Sequence, residues 1–368
     1  MVGGALRALI SRAVPGGTAR AAAAILGLAM TNPLPRNRRT AAFERRVARA
    51  LEATRAFEVL GQPLVVACSG GPDSTATLIA VARAASKVGH PLVAATFDHR
   101  LRARDETKAE AAFVRHLAGT LDVGFRAGAA RSRTHTGSEA AARNARYRWL
   151  ARVARQVGAR DVVTGHTLDD QAETVLLRLT RGSSLRGLAA MTPRSPWPVR
   201  GGTGLSLLRP LLGVSRIEVQ AYLDAVGVQA RHDASNNDLD YARNRVRHRV
   251  MPELRRLNPR SVEALARFAT MAGRDEDALE VWARLEGDRL VRRDGRRALE
   301  IDRAGLRALP PAVALRVLRG AAERLAIAVD AAHLEAMWAA STRKGRRIAL
   351  PGATFAVETG FVRMQRSP

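Results

Sequence analysis

The sequence predicts an α/β protein with a doubly wound, mostly parallel sheet, followed by a second, mainly helical domain. Two observations predict the sheet. Between Pro63 and Leu208, short apolar runs alternate with longer helical patterns, as in parallel sheets covered by helices on both faces. The run PLVVAC at residues 63–68 is apolar throughout and ends in a glycine-rich turn, which is typical of a buried parallel strand. From about residue 261 the pattern becomes helical.

The strands are predicted where apolar runs are short and bounded by turn residues. They are Pro63–Cys68, Pro91–Phe97, Val123–Arg126, Asp161–Gly165 and, before Arg209-Pro210, Leu205–Leu208. Helices are predicted where apolar residues recur at helical spacing. They are Phe43–Leu60, Asp73–Val88, Glu106–Leu121, Ser138–Val157, Asp169–Arg181, Ser215–Val226, Ser261–Leu290, Pro311–Ala326 and Ala331–Ser341. Residues 193–204, rich in Pro, Gly and Arg, are predicted to form a loop. Arg346–Met364 alternates like short strands around a Pro351-Gly352 turn.

The net charge and the cysteine count narrow the classes of partner and compartment. Sixty Lys and Arg against 34 Asp and Glu give a formal net charge of +26, and nearly all the basic residues are Arg. Compositional bias explains Arg in place of Lys but not the excess of base over acid, so the charge favours nucleic acid ahead of an anionic membrane surface. The lone Cys68 excludes an internal disulfide and a Cys-rich zinc site, and it fits a reducing cytoplasm. No run of about 18 apolar residues exists, so no membrane-spanning helix is predicted.

The pattern divides the chain into a basic leader at residues 1–43, an α/β domain at 44–260 and a mainly helical domain at 261–368 with short terminal strands. The leader holds six Arg and no acidic residue. Three interpretations stay open for it: a transit or signal-like segment, a disordered basic arm that helps to hold RNA, and upstream sequence before a true start at Met30. We favour the last and exclude the leader from the predicted fold.

The hexapeptide Ser69-Gly70-Gly71-Pro72-Asp73-Ser74 joins the first predicted strand to a helix. Its glycines let the backbone approach an oxyanion, and proline suits the first helical turn. The N–H groups and the positive end of the helix dipole then face an anion, with two serine hydroxyls as further donors. No Gly-Lys-Ser/Thr follows, so this is not a Walker A loop. Asp73 would repel phosphate unless Mg²⁺ lies between, so the hexapeptide predicts a metal–pyrophosphate site rather than an ordinary βα turn.

This hexapeptide resembles the pyrophosphate loop of the PP-loop ATPases, which are adenine nucleotide α-hydrolase-like proteins that adenylate an oxygen, release pyrophosphate and let a nucleophile displace AMP. Two further segments follow predicted strands: Phe97-Asp98-His99-Arg100-Leu101-Arg102, where the resemblance places an adenosine, and Gly165-His166-Thr167-Leu168-Asp169-Asp170-Gln171-Ala172-Glu173-Thr174. Asp169 and Glu173 are four residues apart and therefore share a helix face, so they are candidates to hold Mg²⁺ or to contact the nucleotide. The alternative is that they are solvated acids favoured by the helix dipole.

A third segment narrows the resemblance. His232-Asp233-Ala234-Ser235-Asn236-Asn237-Asp238 is followed by Tyr241-Ala242-Arg243-Asn244-Arg245-Val246-Arg247-His248-Arg249. Together with the other segments, from about Leu64 to Leu257, these strings resemble the tRNA(Ile)-lysidine synthetase family. Phe97 and His232 depart from the family pattern, where an aliphatic and an acidic residue are more usual. The lone cysteine argues against the tRNA-thiolating relatives, which use cysteines for a persulfide or an iron–sulfur cluster.

The long helix predicted at Ser138–Val157 carries five arginines. At about 100° per residue, Arg143 and Arg146 extend the stripe that faces the core, whereas Arg148, Arg152 and Arg155 lie on the opposite face. A guanidinium on a core-facing stripe needs an anion. The family's matching Arg-x-x-Arg-Tyr string is linked to nucleotide and substrate contacts, which assigns Arg143 and Arg146 to the active site.

The resemblance implies a cytoplasmic ligase that uses ATP and Mg²⁺ to join free lysine to C2 of the wobble cytidine of CAU-anticodon isoleucine tRNA, through an adenylated cytidine. No membrane and no obligate protein partner is expected. A PP-loop tRNA thiolase and a non-catalytic RNA-binding protein on the same scaffold are the alternatives. The predicted residues are Asp73, Arg143, Arg146, Asp98 and His99 for catalysis; Ser69 to Ser74, Phe97, His166 and Asp169 for the nucleotide; Asp73, Asp170 and Glu173 for the metal; and Arg243, Arg245, Arg247, Arg249, Arg255 and Arg256 for RNA. Asp98, His99 and Asp169 all stay candidates for the group that accepts the proton of the lysine amine.

Overall fold

The computed structural model describes residues 34–59, 61–99, 104–130, 139–231 and 239–367, without the side chains of residues 104–107 and 139. Its helices are α1 (Arg38–Ala53), α2 (Pro72–Lys87), α3 (Arg104–Thr120), α4 (Glu139–Val157), α5 (Leu168–Leu179), α6 (Leu185–Leu188), α7 (Arg216–Val226), α8 (Ala242–Arg245), α9 (Met251–Leu257), α10 (Ser261–Leu290), α11 (Arg303–Ala308), α12 (Pro311–Arg324) and α13 (Ala331–Ala340), with a π-helical turn at Val246–Val250. Its strands are β1 (Leu64–Ala67), β2 (Leu92–Asp98), β3 (Gly124–Ala129), β4 (Asp161–Val163), β5 (Arg194–Pro196), β6 (Ser206–Leu208), β7 (Val291–Asp294), β8 (Ala298–Asp302), β9 (Arg347–Leu350), β10 (Ala353–Val357) and β11 (Phe361–Arg366). Three stretches with sequence predictions lie outside the described residues: 1–33 of the leader, Arg100–Arg102, and His232–Asp238.

Contacts divide the chain into two units, each made of two segments. The first unit consists of the segment that ends at Thr167 together with Pro193–Asp233. The second unit consists of Leu168–Thr192 and Ala234–Pro368. The predicted boundary after residue 260 therefore falls inside the second unit. The physical reason is a small apolar cluster around Ala172, Val246 and Met251, which joins α5 to the helical turns after residue 241.

The first unit contains a six-stranded sheet in the order β3-β2-β1-β4-β6-β5. All neighbouring strands are parallel except β5, which runs antiparallel to β6. The predicted doubly wound, mostly parallel sheet is thus confirmed. β5 is an unpredicted short edge strand inside the segment expected to be a loop, because its three residues give no apolar run.

Helices cover both faces of this sheet, as the continuous apolar strands predict. In β1, Leu64 and Val66 pack in one core with residues of α2, α3 and α7, whereas Val65 packs in a second core with residues of α4. Side chains alternate between the two faces along a strand, so β1 is buried on both sides.

The first helix begins before its predicted start at Phe43. Asn37 caps it, since the Asn37 side chain accepts the N–H of Thr40 at 3.0 Å, and the Thr40 hydroxyl accepts the N–H of Asn37 at 2.9 Å. Leu34 is also buried. Residues 34–43, which were predicted to belong to an excluded leader, are therefore part of the folded unit. The run of arginines around the cap obscured the helix start in the sequence.

Helix α7 is the last described helix of the first unit and begins at a capping box. Ser215 caps the helix, and Glu218 reaches back to the Ser215 N–H at 2.9 Å. Burial alone would raise the pKa of Glu218, but hydrogen bonds from Ser215 and the Arg46 guanidinium outweigh it and hold the pKa below its ordinary value. This end of α7 is therefore fixed by both backbone and charge.

The second unit contains a five-stranded antiparallel sheet in the order β7-β8-β11-β10-β9, which packs with α12 and α13. The last three strands match the predicted terminal strands. The β7–β8 hairpin was not predicted, because Val291–Asp294 is mostly exposed and lacks an apolar alternation. The Asp294-Gly295 dipeptide, where β7 ends and the turn begins, is a hairpin signal that the sequence does carry. In the part of the chain that the structure describes, no helix is long and apolar enough to cross a membrane.

Candidate active site

The order of the first sheet marks one place for a ligand. From β1 the chain adds β2 and β3 on one side and then β4 and β6 on the other, so the winding reverses between β1 and β4. Open α/β sheets bind ligands outside the carboxyl ends of the strands at such a switch point. The hexapeptide Ser69–Ser74 follows β1, the pair Asp98-His99 lies at the end of β2, and Gly165-His166 follows β4.

The hexapeptide forms the turn between β1 and the N-terminus of α2. Gly70 has a φ of +86°, which an L-residue with a side chain rarely adopts, and Gly71 is the N-cap in extended backbone. The Ser74 hydroxyl accepts the N–H of Ser69 at 3.1 Å and lies 3.0 Å from the Gly71 carbonyl oxygen, to which it donates. No described side chain caps α2, so the positive end of its dipole is open for an anion.

Two other segments hold this turn from the outside. A Cβ atom added at Gly165, just after β4, would lie 2.7 Å from the Asp73 carbonyl oxygen, so only glycine allows this close approach. The Arg231 N–H donates to the Gly70 carbonyl oxygen at 2.9 Å. The turn is therefore preorganised by contacts from residues far away in the sequence.

Asp73 is the second residue of α2 and is partly covered. Its Oδ2 atom lies 3.6 Å from Nε of Arg216, the first residue of α7. Carboxylates are favourable at a helix N-terminus, but this one also stands beside the anion site. Arg216 was not among the site residues predicted from the sequence, because the helical pattern of α7 gives no sign that its first residue contacts Asp73.

Aromatic rings surround the end of β2. The Phe97 ring lies 5.1 Å from the His99 ring, edge to face, and 5.3 Å from the Trp149 ring. Trp149 lies over Gly128 on the neighbouring strand, where a Cβ would come within 2.0 Å of the indole nitrogen. Phe97, Asp98 and His99 are each partly exposed, so they are accessible at the sheet edge.

The two arginines predicted at the start of α4 gather around one buried ring. The guanidinium carbons of Arg143 and Arg146 lie 5.4 Å and 5.5 Å from the centre of the Tyr147 ring. The predicted core-facing stripe is only partly right, because Arg143 is exposed and Arg146 is half-buried. Tyr147 takes the core-facing place, and both guanidinium groups lie over it as cation–π partners.

His166 follows β4 and is oriented by a hydroxyl group. Its Nδ1 atom lies 2.9 Å from the hydroxyl oxygen of Thr164, which is buried. The hydrogen bond holds the imidazole ring at the sheet edge.

The second unit contains Asp169, Asp170 and Glu173, three of the acids predicted for the nucleotide or the metal. Glu173 on α5 accepts Arg243 Nε at 2.9 Å and Arg247 Nε at 2.8 Å, and Asp170 accepts Arg243 Nη2 at 2.9 Å. Asp169 accepts Arg255 Nη2 at 2.7 Å. We name these six side chains the acid–arginine cluster. Three of the arginines predicted to bind RNA therefore pair with three of the acids predicted for the nucleotide or metal.

The other arginines predicted to bind RNA have exposed side chains. Arg245 donates to the carbonyl oxygens of Leu239 and Asp240 at 2.8 and 2.9 Å, and Arg256 pairs with Glu253 at 2.6 Å. Arg249 is exposed on the π-helical turn.

The described residues include a candidate metal ligand beside the phosphate turn and a buried cysteine. Among the described residues, no group of three or more His, Cys, Asp or Glu side chains could hold a metal ion by itself. A Mg²⁺ ion that is bound through one or two carboxylates and the substrate phosphates needs no such group, and Asp73 beside the phosphate turn fits that mode. Cys68 is buried at the end of β1, and burial raises the pKa of its thiol, so the reactive thiolate is disfavoured.

Comparison with known proteins adds two family matches and close relatives. Residues 40–254 match a family model described as a PP-loop domain, and residues 301–366 match a TilS substrate binding domain. The tRNA(Ile)-lysidine synthase of Thermobifida fusca (strain YX) is 41% identical, with 80% of this chain and 88% of the relative covered. That of Salinispora arenicola (strain CNS-205) is 41% identical, with 76% and 83% covered. That of Dehalococcoides mccartyi (strain CBDB1) is 35% identical, with 79% of this chain but 63% of the relative covered.

Among solved structures, the U34-tRNA thiolase NcsA from Methanococcus maripaludis with its [4Fe-4S] cluster superposes with a TM-score of 0.51. It is 15% identical, and the match covers 63% of this chain and 80% of that chain. At this identity the likeness concerns the fold alone.

Proposed function

Because the chain belongs to the tRNA(Ile)-lysidine synthase family of PP-loop ligases, we propose that it joins free lysine to C2 of the wobble cytidine of a CAU-anticodon isoleucine tRNA. The observation that carries this proposal is the phosphate turn Ser69–Ser74 at the switch point of the sheet. It combines an open helix N-terminus, a positive-φ glycine and one carboxylate, which suits the release of pyrophosphate from ATP.

The proposed reaction has two steps. The C2 carbonyl oxygen of the cytidine attacks the α-phosphorus of ATP, and pyrophosphate leaves. The neutral ε-amine of lysine then attacks C2, AMP leaves with the carbonyl oxygen, and the amine loses a proton. Backbone N–H groups of the turn, with Arg143 and Arg146, stabilise the charge that develops on the phosphates.

Mg²⁺ fits this site through Asp73 and the phosphates of ATP, and its chemistry when bound is to neutralise phosphate charge. Asp170 and Glu173, also predicted as metal ligands, accept hydrogen bonds from arginines at 2.8–2.9 Å. We therefore assign the metal to Asp73 and give the two other carboxylates the role of anchoring Arg243 and Arg247.

Asp98, His99 and Asp169 are the candidates for the proton acceptor. Asp169 accepts a hydrogen bond from Arg255 at 2.7 Å, so we give it an anchoring role like that of Asp170 and Glu173. Asp98 and His99 lie at the partly exposed carboxyl edge of the sheet. We propose that one of these two accepts the proton of the lysine amine.

The acid–arginine cluster supports a role in tRNA binding. Arg243 and Arg247 are about one-quarter exposed, and the carboxylates beneath them fix their guanidinium groups. Arginines held in this way present preorganised donors to RNA phosphates, whereas Arg245, Arg249 and Arg256 add exposed charge.

One assay tests the proposal directly. The purified protein is incubated with CAU-anticodon isoleucine tRNA, ATP and radiolabelled lysine, and AMP and labelled tRNA are measured. We expect AMP release that depends on lysine and label that enters the tRNA in equal amount. AMP release without lysine incorporation, or label that enters with any amino acid, would contradict the proposal. Incorporation of sulfur from a sulfide donor would support the thiolase alternative, against which the buried Cys68 argues.

A further inference from the structure

Arg216 stands at a rigid point next to the phosphate turn. It is the first residue of α7, directly after the Ser215 cap and its capping box with Glu218. The buried residues Val219 and Leu223 of α7 belong to the same apolar core as α2. The base of the Arg216 side chain is therefore fixed relative to the helix that carries the phosphate turn.

The Arg216 side chain extends to the only carboxylate of the turn. Its Nε atom lies 3.6 Å from Asp73 Oδ2, and the two side chains are 25% and 29% exposed. At this separation the contact is an ion pair rather than a hydrogen bond. Partial burial reduces screening by solvent, so each charge strongly affects the other.

The charges of the turn require such a partner. A triphosphate that approaches the N-terminus of α2 meets favourable backbone dipoles but also the negative charge of Asp73. A guanidinium beside Asp73 cancels this repulsion. It also presents five N–H donors in a planar fork that matches phosphate oxygens.

We propose that Arg216 is a nucleotide-binding residue, which neutralises Asp73 and contacts the pyrophosphate part of ATP. This inference rests on the nucleotide site of the proposed function and not on the identity of the tRNA or of the amino acid. A failure to form lysidine would therefore leave it intact, provided that the protein binds ATP.

The test measures binding rather than turnover. Isothermal titration with pyrophosphate, ATP and adenosine, each without Mg²⁺, separates phosphate contacts from contacts to the nucleoside. For Arg216→Ala we expect pyrophosphate and ATP to bind about tenfold more weakly, because a charge-assisted hydrogen bond is lost, whereas adenosine binding stays unchanged. Arg216→Lys keeps the charge and should recover part of the loss. Arg216→Gln serves as the second variant if the alanine variant does not fold.

Arg46→Ala is the matched control. Arg46 also contacts the start of α7, but it does so through Glu218 and the Gly213 carbonyl oxygen. Its removal should leave all three affinities unchanged. The proposal is overturned if Arg216→Ala binds pyrophosphate like the unmodified protein, or if adenosine binding falls by the same factor. A double variant with Asp73→Asn adds a second check, since additive effects on pyrophosphate affinity would show that the two side chains do not act together.

Discussion

Glu173→Gln tests whether the carboxylates of α5 anchor arginines or bind metal. The Glu173 side chain is 1% exposed and accepts three N–H groups from Arg243 and Arg247, at 2.9, 2.8 and 3.2 Å. Breaking a fully buried ion pair costs about 3–5 kcal/mol. Both arginines are partly exposed and Arg243 keeps its bond to Asp170, so we expect a smaller loss, about 2 kcal/mol.

Hydrogen exchange followed by mass spectrometry measures this loss locally. A destabilisation of about 2 kcal/mol corresponds to roughly 30-fold faster exchange in α5 and in Ala242–Leu257. Glu253→Gln is the matched control, because its pair with Arg256 is exposed on both sides and is worth at most about 1 kcal/mol. The anchoring argument is refuted if the amides of Glu173→Gln exchange at the rate of the unmodified protein while the Mg²⁺ dependence of its activity changes.

Three further predictions concern the first unit. Arg146→Ala should abolish adenylation in single-turnover measurements while Arg152→Ala changes the rate little, and equal rates for the two would remove Arg146 from the site. Gly128→Ala should lower the free energy of unfolding by about 2 kcal/mol, measured with urea, because the new Cβ would lie 2.0 Å from the Trp149 indole nitrogen; unchanged stability would contradict that contact. Glu218 has a lowered pKa in the folded state, so its charge stabilises the fold above its ordinary pKa of 4.5, and this contribution disappears as the pH falls through the folded value. Glu218→Gln should therefore lose about 0.5 kcal/mol at pH 7, and this loss should shrink as the pH falls below 4.5, whereas a loss that does not depend on pH would argue against the charge.

The strands around the phosphate turn follow from local signals, whereas their order in the sheet does not. Apolar runs such as PLVVAC predict buried strands, and the glycines before Asp73 predict the turn, because both depend on neighbouring residues. The short strands β7 and β5 lack apolar alternation, so they are recognised only from their pairing with β8 and β6.

The candidate site could be predicted in its residue types but not in its pairings. Sequence spacing correctly placed Asp170 and Glu173 on one helix. It gave no sign that Arg243 and Arg247, at least 70 residues later, would donate hydrogen bonds to these carboxylates. Arg216 lies even farther from its partner Asp73. Such pairs depend on the packing of whole elements, which helical or strand periodicity does not describe.

The acid–arginine cluster has a consequence for synthesis on the ribosome. Glu173 leaves the ribosome 70 residues before Arg243, and Asp169 leaves 86 residues before Arg255. At a synthesis rate of about 5–20 residues per second, several seconds pass between the synthesis of α5 and that of the arginines that pair with its acids. All six strands of the first sheet have been made by Leu208, before any of these arginines is added. The nascent chain can therefore complete the first sheet before the arginines that pair with the acids of α5 have been made.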